Sequence, residues 1–101
     1  MFDKILEAQK KAEEIKNRLD TISVNSEVEG GKIRVTSTAN KKLTSISIEP
    51  EFLKMCDGEE LEELLLTAVN KVLEQAENVS QTEMQAATRD MMGGLGNLFG
   101  Q

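Results

Sequence analysis

The side chains that most often perform covalent or acid–base chemistry are scarce in this sequence. The chain has no histidine and a single cysteine, Cys56, so the sequence offers no Ser–His or Cys–His nucleophile. Serine and threonine are concentrated in the stretch KIRVTSTANKKLTSISIE, residues 32–49, but no base accompanies them. The acid pairs Glu59-Glu60 and Glu62-Glu63 are better explained as the solvated start of a helix. The sequence therefore predicts that the protein is not an enzyme.

Metal and cofactor motifs are also missing from the sequence. A zinc site of the Cys/His kind needs more thiols or imidazoles than one cysteine provides. The segment Asp57-Gly58-Glu59-Glu60 lacks the alternating oxygen ligands of an EF-hand loop, and no P-loop or dinucleotide fingerprint appears. Cys56 lies in an apolar segment, where it is most simply a small hydrophobic residue, and a lone thiol fits a reducing cytoplasm. We expect no cofactor.

Positive charge is the remaining chemistry, and it is concentrated in a predicted helix and at a predicted hairpin tip. Seven residues are candidates for contact with the phosphates of duplex DNA: Lys4, Lys10, Lys11, Lys16, Arg18, Lys41 and Lys42. Two properties oppose this interpretation, since the net charge is −6 and the chain has no Trp or Tyr on which bases would stack. Charged stripes on helices more often simply face water, so the basic residues alone leave both interpretations open.

The first helix is predicted over residues 3–20. Its apolar residues are spaced alternately by three and four positions: Ile5, Ala8, Ala12, Ile15 and Leu19. Lys4, Lys11 and Arg18 line one flank of this stripe, and Lys16 lies on the other flank. Two parallel copies would place these basic side chains next to one another, which is unfavourable. We therefore expect the helix to pack on the acid-rich second helix or to leave its basic flank open.

The second helix is predicted over residues 58–91, with Asp57 as its N-cap and Gly93-Gly94 as its end. At 1.5 Å per residue it would be about 50 Å long, whereas a compact domain of this size has a radius of gyration of about 13 Å. Its far end should therefore project, unless it breaks near Asn78 or packs on a partner. Residues 93–101 are predicted to form a flexible Gly-rich tail.

Between the helices the sequence alternates as expected for a three-stranded antiparallel meander. The strands are predicted over 22–29, 32–39 and 43–49. Turns at Gly30-Gly31 and Asn40-Lys41 would connect them, and Pro50 would end the third strand.

The register follows from the side chains that these turns bring together. Val28 would pair with Ile33 and Val35 with Ile46, which makes one face of the sheet apolar. The other face would carry hydroxyl and amide groups, and it is either solvated or packed against the sheet of a second copy. Its residues are Ser23, Asn25, Thr36, Thr38, Ser45 and Ser47.

Several short motifs in the chain resemble the YbaB/EbfC family of bacterial nucleoid-associated proteins. One is Ile46-Ser47-Ile48-Glu49-Pro50 followed by Leu53, and others are Leu61-Glu62-Glu63-Leu64-Leu65 and Ala68-Val69-Asn70-Lys71-Val72. The first hairpin, with Glu27-Val28-Glu29-Gly30-Gly31, is also similar, as is the Met- and Gly-rich end of the chain. The sequence departs from the family at Glu49, where Asp is common, and at Val72, where Ala is common. These motifs are structural rather than catalytic.

The resemblance implies an α+β fold: an α-β-β-β-α protomer with a three-stranded antiparallel meander and two long helices, over a single domain at residues 1–92. It further implies a tweezer-shaped homodimer with protruding helices.

In function, the resemblance implies a nucleoid-associated protein of the bacterial cytoplasm. Such a dimer binds double-stranded DNA with little sequence specificity and has a role in nucleoid organisation or gene regulation. The alternative is a protein-interaction adaptor linked to the replication or recombination machinery, with incidental DNA contact. No membrane partner is expected, because the sequence has no transmembrane run and its first residues lack the apolar core of a leader.

Overall fold

Along the chain, three antiparallel strands follow a first long helix and precede a second one, which is the order that the sequence predicted. The computed structural model describes the backbone of residues 2–98 and the side chains of residues 3–90. In chain order its elements are α1 Phe2–Asp20, β1 Ser23–Val28, β2 Ile33–Thr38, β3 Leu43–Ile48, α2 Pro50–Met55 and α3 Gly58–Leu98. The fold is α+β, with β2 at the centre of the sheet and β1 and β3 at its edges.

The predicted register is confirmed over most of the sheet. Val28 pairs with Ile33, and Val35 pairs with Ile46. Beyond Thr36 a β-bulge shifts the pairing, so that Ser37 opposes Leu43. The Thr38 amide donates to the carbonyl of Lys42 at 2.8 Å. This pair encloses three residues, Ala39, Asn40 and Lys41, rather than the predicted two, and the bulge accommodates the difference.

The first hairpin is also longer than predicted, although its register is unchanged. Glu29, Gly30 and Gly31 all have positive φ, with values of 53°, 66° and 91°, and they form a 3₁₀ turn. Two glycines meet this conformational demand without steric cost. The connection contains two extra residues, Glu29 and Lys32, one on each side, and this preserves the pairing of Val28 with Ile33.

The core lies where α3 crosses β1 and β2. Ile33 and Val35 of β2 and Ala68 and Val72 of α3 are fully buried there. Ser26 of β1 is buried beneath the same helix, and its Oγ donates to the carbonyl oxygen of Ala68 at 2.7 Å. Small residues at this contact let helix and sheet approach closely, and the hydrogen bond satisfies the buried hydroxyl.

The α3 helix continues well past the sheet, and α1 packs on this projecting part in the opposite direction. Leu19 and Ala76 are buried at the base of the pair, and Arg18 forms an ion pair with Glu83. The expectation that α1 packs on the acid-rich helix is thereby confirmed. The molecule is elongated, with extents of 65 × 26 × 18 Å and a radius of gyration of 19.4 Å. We call the projecting part of α3 together with α1 the arm.

The predicted end of α3 is wrong by several residues. The helix passes through Gly93 and Gly94 and reaches Leu98. Glycine costs a helix about 1 kcal/mol relative to alanine, which weakens the helix without breaking it as proline would. The predicted tail, 93–101, therefore begins inside the helix, and its last residues, 99–101, lie outside the described part of the chain.

Between β3 and α3 the chain forms the short helix α2, although no helix was predicted there from the sequence. Pro50 occupies its first turn, where the fixed φ of proline favours a helix and its missing N–H is not needed. Lys32 lies over the ring of Phe52, with Nζ at 5.5 Å from the centroid. The N-cap that was predicted for α3 is confirmed, because Asp57 Oδ1 accepts from the Glu60 amide at 2.8 Å.

The β2–β3 turn is held against both main helices at the base of the arm. Asn40 Nδ2 donates to the carbonyl of Lys16 at 2.9 Å and to Asp20 Oδ1 at 2.6 Å, which fixes the turn on α1. Lys41 forms an ion pair with Glu77 of α3, whose Oε1 also accepts from Gln81 Nε2 at 3.1 Å. These contacts determine where the basic residues of the turn lie.

We predict that Ser26→Ala lowers the free energy of unfolding by about 0.5–1.5 kcal/mol, because it removes the buried hydrogen bond to Ala68. Ser23→Ala, on the exposed face of the same strand, should change it by less than about 0.5 kcal/mol. Urea unfolding of both variants at one protein concentration measures the difference. Equal effects of the two substitutions would contradict the anchoring role of Ser26.

The stabilising contribution of Glu77 should depend on pH. The hydrogen bonds from Lys41 and Gln81 and the charge of Lys41 lower the pKa of the Glu77 carboxyl. A group whose pKa is lowered by folding stabilises the protein above its unfolded pKa, and this contribution disappears as pH falls through the folded value. We therefore expect Glu77→Gln to destabilise the protein at neutral pH, and this destabilisation to shrink as pH falls from about 4.3, the usual pKa of Glu, through the lower folded value.

Thermal unfolding of the wild type and of Glu77→Gln between about pH 7 and about pH 3 tests this expectation. The same substitution in a Lys41→Met background should show a weaker pH dependence, because only the Gln81 hydrogen bond remains. A stability difference that does not change with pH would show that Glu77 does not act through its charge.

Candidate nucleic-acid interface

All seven basic residues singled out in the sequence are exposed, but the structure divides most of them between two flanks of α1. Lys11 and Arg18 face α3 on one flank, and Lys4 precedes Lys11 by seven residues and so shares that flank. Lys16 lies on the other flank, where Asn40 binds its carbonyl and brings the β2–β3 turn against the helix. Lys10 is exposed and does not line the groove on the first flank.

The first flank is a groove of about 380 Å³ between α1 and α3, and its charges are balanced within the molecule. Lys11, Glu14 and Arg18 line it from α1, and Asp90 lines it from α3. Arg18 Nε lies 2.9 Å from Glu83 Oε2, and Lys11 Nζ lies 3.8 Å from Glu14 Oε2. These cations already have carboxylate partners, so the groove offers little unopposed positive charge.

The second flank contacts the β2–β3 turn through Asn40, and we call the lysines of these two neighbouring segments the turn patch: Lys16, Lys41 and Lys42. Lys41 is paired with Glu77. Within residues 3–90, neither Lys16 nor Lys42 has a carboxylate oxygen within 4.0 Å of its ammonium group. The turn patch therefore combines two ammonium groups that form no ion pair within residues 3–90 with a third that is half-exposed.

Sequence reasoning did not find this patch, because it depends on Asn40. The pattern indicated Asn40 only as a turn residue, and a side-chain contact with a helix about twenty positions earlier leaves no periodic signal.

The sequence pattern also did not single out the outer face of α3 in the arm. There the acids Glu83 and Asp90 turn toward α1, and the outward face carries amides, hydroxyls, one methionine and one arginine: Asn78, Gln81, Thr82, Met84, Gln85, Thr88 and Arg89. Polar side chains of these kinds commonly contact DNA backbones.

The described residues show no arrangement suited to metal or thiolate chemistry. Within residues 3–90, no group of three or more Cys, Asp or Glu side chains is placed to hold a metal ion. Partial burial and the nearby carboxylate of Glu60 raise the pKa of the Cys56 thiol, which makes it a poor nucleophile at neutral pH. In the part of the chain that the structure describes, no helix combines the length and apolarity needed to cross a membrane.

Comparison with solved structures supports the architecture. The chain is similar to a crystallised uncharacterized protein of Helicobacter pylori, with a TM-score of 0.63 and 20% sequence identity. The match covers 77% of this chain and 92% of that protein, and at this identity it concerns the fold alone.

Similarity to curated proteins extends over the whole chain. A nucleoid-associated protein of Flavobacterium johnsoniae is 41% identical over 102 aligned residues, covering 98% of this chain and 94% of the relative. A nucleoid-associated protein of Clostridium botulinum is 43% identical over 77 residues, which are 76% of this chain and 68% of that protein. The profile of the YbaB/EbfC DNA-binding family matches residues 1–91, from the start of α1 through most of α3. The chain therefore belongs to the YbaB/EbfC DNA-binding family.

Proposed function

We propose that this protein binds duplex DNA through the phosphate backbone, with little sequence preference, and that it acts on the nucleoid in the cytoplasm. Contacts with phosphate carry no direct sequence information, and the turn patch consists of lysines, which are point charges without the fork geometry that reads base edges. This activity requires no chemical step, in keeping with the prediction that the protein is not an enzyme.

The observation that carries the proposal is the docking of the β2–β3 turn on α1 by Asn40. It places Lys42 of the turn beside the segment of α1 that carries Lys16, and neither lysine has a carboxylate partner within residues 3–90. Local positive charge at a fixed position is what phosphate binding needs. Lys4 and Lys10, which are exposed farther along α1, are additional candidates for contact.

The acidic net charge does not oppose this proposal, because of where the acids lie. Between Glu49 and Glu63 there are seven carboxylates and one lysine, so this segment alone carries −6, the net charge of the chain. The charges of the remaining residues sum to zero. The segment comprises α2 and the start of α3, at the opposite end of α3 from the arm. Beyond about 10 Å its field is largely screened at 0.1 M salt.

We also propose that the protein is a homodimer whose interface includes the exposed apolar residues of β3. The α3 helix covers β1 and β2, while on the outer strand Leu43 is 40% exposed and Ile46 is 51% exposed. β3 is moreover an edge strand, whose unpaired backbone groups favour association with another chain. This surface is a better candidate than the opposite, polar face of the sheet, since apolar burial drives dimer formation.

The protein-interaction adaptor is a second candidate, and the exposure of α2 favours it. Met55 is 86% exposed and Leu53 is 48% exposed beside the acidic segment, where a partner from the replication or recombination machinery has an apolar surface to contact. DNA binding that does not respond to the turn patch, together with a stoichiometric protein partner that survives nuclease treatment, would favour this candidate.

Replacing Lys16 and Lys42 should weaken DNA binding and make it less dependent on salt concentration. We expect the double variant Lys16→Ala/Lys42→Ala to bind a short duplex more weakly, and the slope of log K against log salt to fall by about two for each bound protomer. Gel-shift titration at several salt concentrations measures both quantities.

The matched control is Lys54→Ala/Lys71→Ala, which removes the same charge from exposed positions outside the arm and the turn. It should leave the slope nearly unchanged. A wild-type slope near zero, or equal effects of the two double variants, would contradict the proposed DNA interface.

Placing a charge on β3 should separate the proposed dimer. We expect Ile46→Lys to convert the dimer to monomer at micromolar concentration, because it buries an unpaired ammonium group in the interface. Met84→Lys, at a site in the arm with 53% exposure, is the control for loss of an exposed apolar side chain. Light scattering coupled to gel filtration gives the masses, and a monomeric wild type would refute the dimer.

A further inference from the structure

Two of the seven candidate cations are held by carboxylates of α3. Lys41 in the β2–β3 turn is paired with Glu77, and Arg18 near the end of α1 is paired with Glu83. Both cations lie in the arm or at its base, where the proposed function places the DNA. We propose that Glu77 and Glu83 limit the DNA affinity of this protein, because they compete with phosphate for Lys41 and Arg18. This inference rests on the proposed function.

The pair at the turn is open to a competing anion. The side chains of Lys41 and Glu77 are 49% and 41% exposed, so a phosphate can approach the ammonium group without any change in the core. Gln81 Nε2 donates to the Glu77 carboxylate as well, and this carboxylate, whose pKa lies below its ordinary value, is charged at neutral pH. A fixed, charged carboxylate at this position repels phosphate and occupies the cation that would bind it.

The ion pair between Arg18 and Glu83 leaves its cation more available than the pair at the turn does. Glu83 is the less exposed partner, at 25%, whereas Arg18 is 67% exposed. The guanidinium has five N–H donors, and one carboxylate, whose Oε2 lies 2.9 Å from Nε, cannot occupy all of them, so a phosphate can still accept from the others. We therefore expect Glu77 to restrain its cation more than Glu83 does, because a lysine ammonium is a single point charge.

A purely structural role of these pairs leads to a different result. If Glu77 and Glu83 only held the turn and α1 in place, their removal would loosen the turn patch, and DNA binding would weaken or stay the same. Competition requires the opposite sign, namely tighter binding after a substitution that lowers stability. The sign of the change in affinity, taken relative to a control that removes the same charge elsewhere on α3, therefore separates the two roles.

The test uses the isosteric variants Glu77→Gln and Glu83→Gln in the full chain, with fluorescence anisotropy titration of a short duplex at several salt concentrations. Exposed ion pairs are weak, so at low salt we expect binding about 1.5- to fivefold tighter for Glu77→Gln and a smaller gain for Glu83→Gln. The slope of log K against log salt should become steeper by about one for each released cation.

Glu74→Gln is the matched control, since it removes the same charge from an exposed position one helical turn before Glu77. It measures the effect of net charge alone and should not change the slope. In a Lys41→Ala background, Glu77→Gln should give no more gain than Glu74→Gln does. Circular dichroism and urea unfolding show that each variant is folded.

The inference is overturned if Glu77→Gln binds no more tightly than Glu74→Gln, or if its gain persists without Lys41. Neither result affects the proposed function, which fails separately if wild-type protein binds without salt dependence or if Lys16 and Lys42 prove dispensable. If the wild type does not bind duplex DNA at all, both fail.

Discussion

The difference in length between α3 and the sheet on which it packs determines the shape of the molecule. The helix has 41 residues and is therefore about 60 Å long, while each strand has six residues and spans about 20 Å. The core residues of α3, from Leu61 to Leu73, use only the first part of the helix. The rest needs another apolar surface, and the only other long helix of the described chain, α1, supplies it along one side. The arm is thus a consequence of helix length.

The sequence could predict those features that arise from neighbouring or periodic residues. Alternation of apolar side chains was sufficient to pair Val28 with Ile33 and Val35 with Ile46, because a shift by one residue would expose the whole apolar face. Turn lengths were less predictable. One extra residue on each side of the first turn leaves the register unchanged, so the apolar pattern does not distinguish a two-residue turn from a four-residue turn. The end of α3 and the presence of α2 were least predictable, since Gly93 and Gly94 weaken a helix without ending it and Pro50 starts one.

The candidate site was only partly predictable, for a related reason. Helical periodicity identified the basic flank of α1, but it could not show that Arg18 is paired with Glu83 or that Asn40 binds the end of α1. Those contacts join residues that are far apart in the chain, and they follow from the direction in which α1 returns along α3. The tertiary fold, rather than the local pattern, thereby divides the cations into those that carboxylates hold and those that remain available.

Rigidity of the arm connects the proposed dimer with the proposed binding of DNA. Because α3 is continuous from the sheet into the arm, and Asn40 and Lys41 attach the turn to both helices, the turn patch has a fixed position relative to β3. A symmetric dimer formed through β3 would therefore set the distance between its two patches. Each patch has few cations, so we expect one protomer to bind weakly and two linked patches to bind together when their spacing suits the duplex. Under these proposals the surface that joins the protomers would determine DNA affinity without contacting DNA.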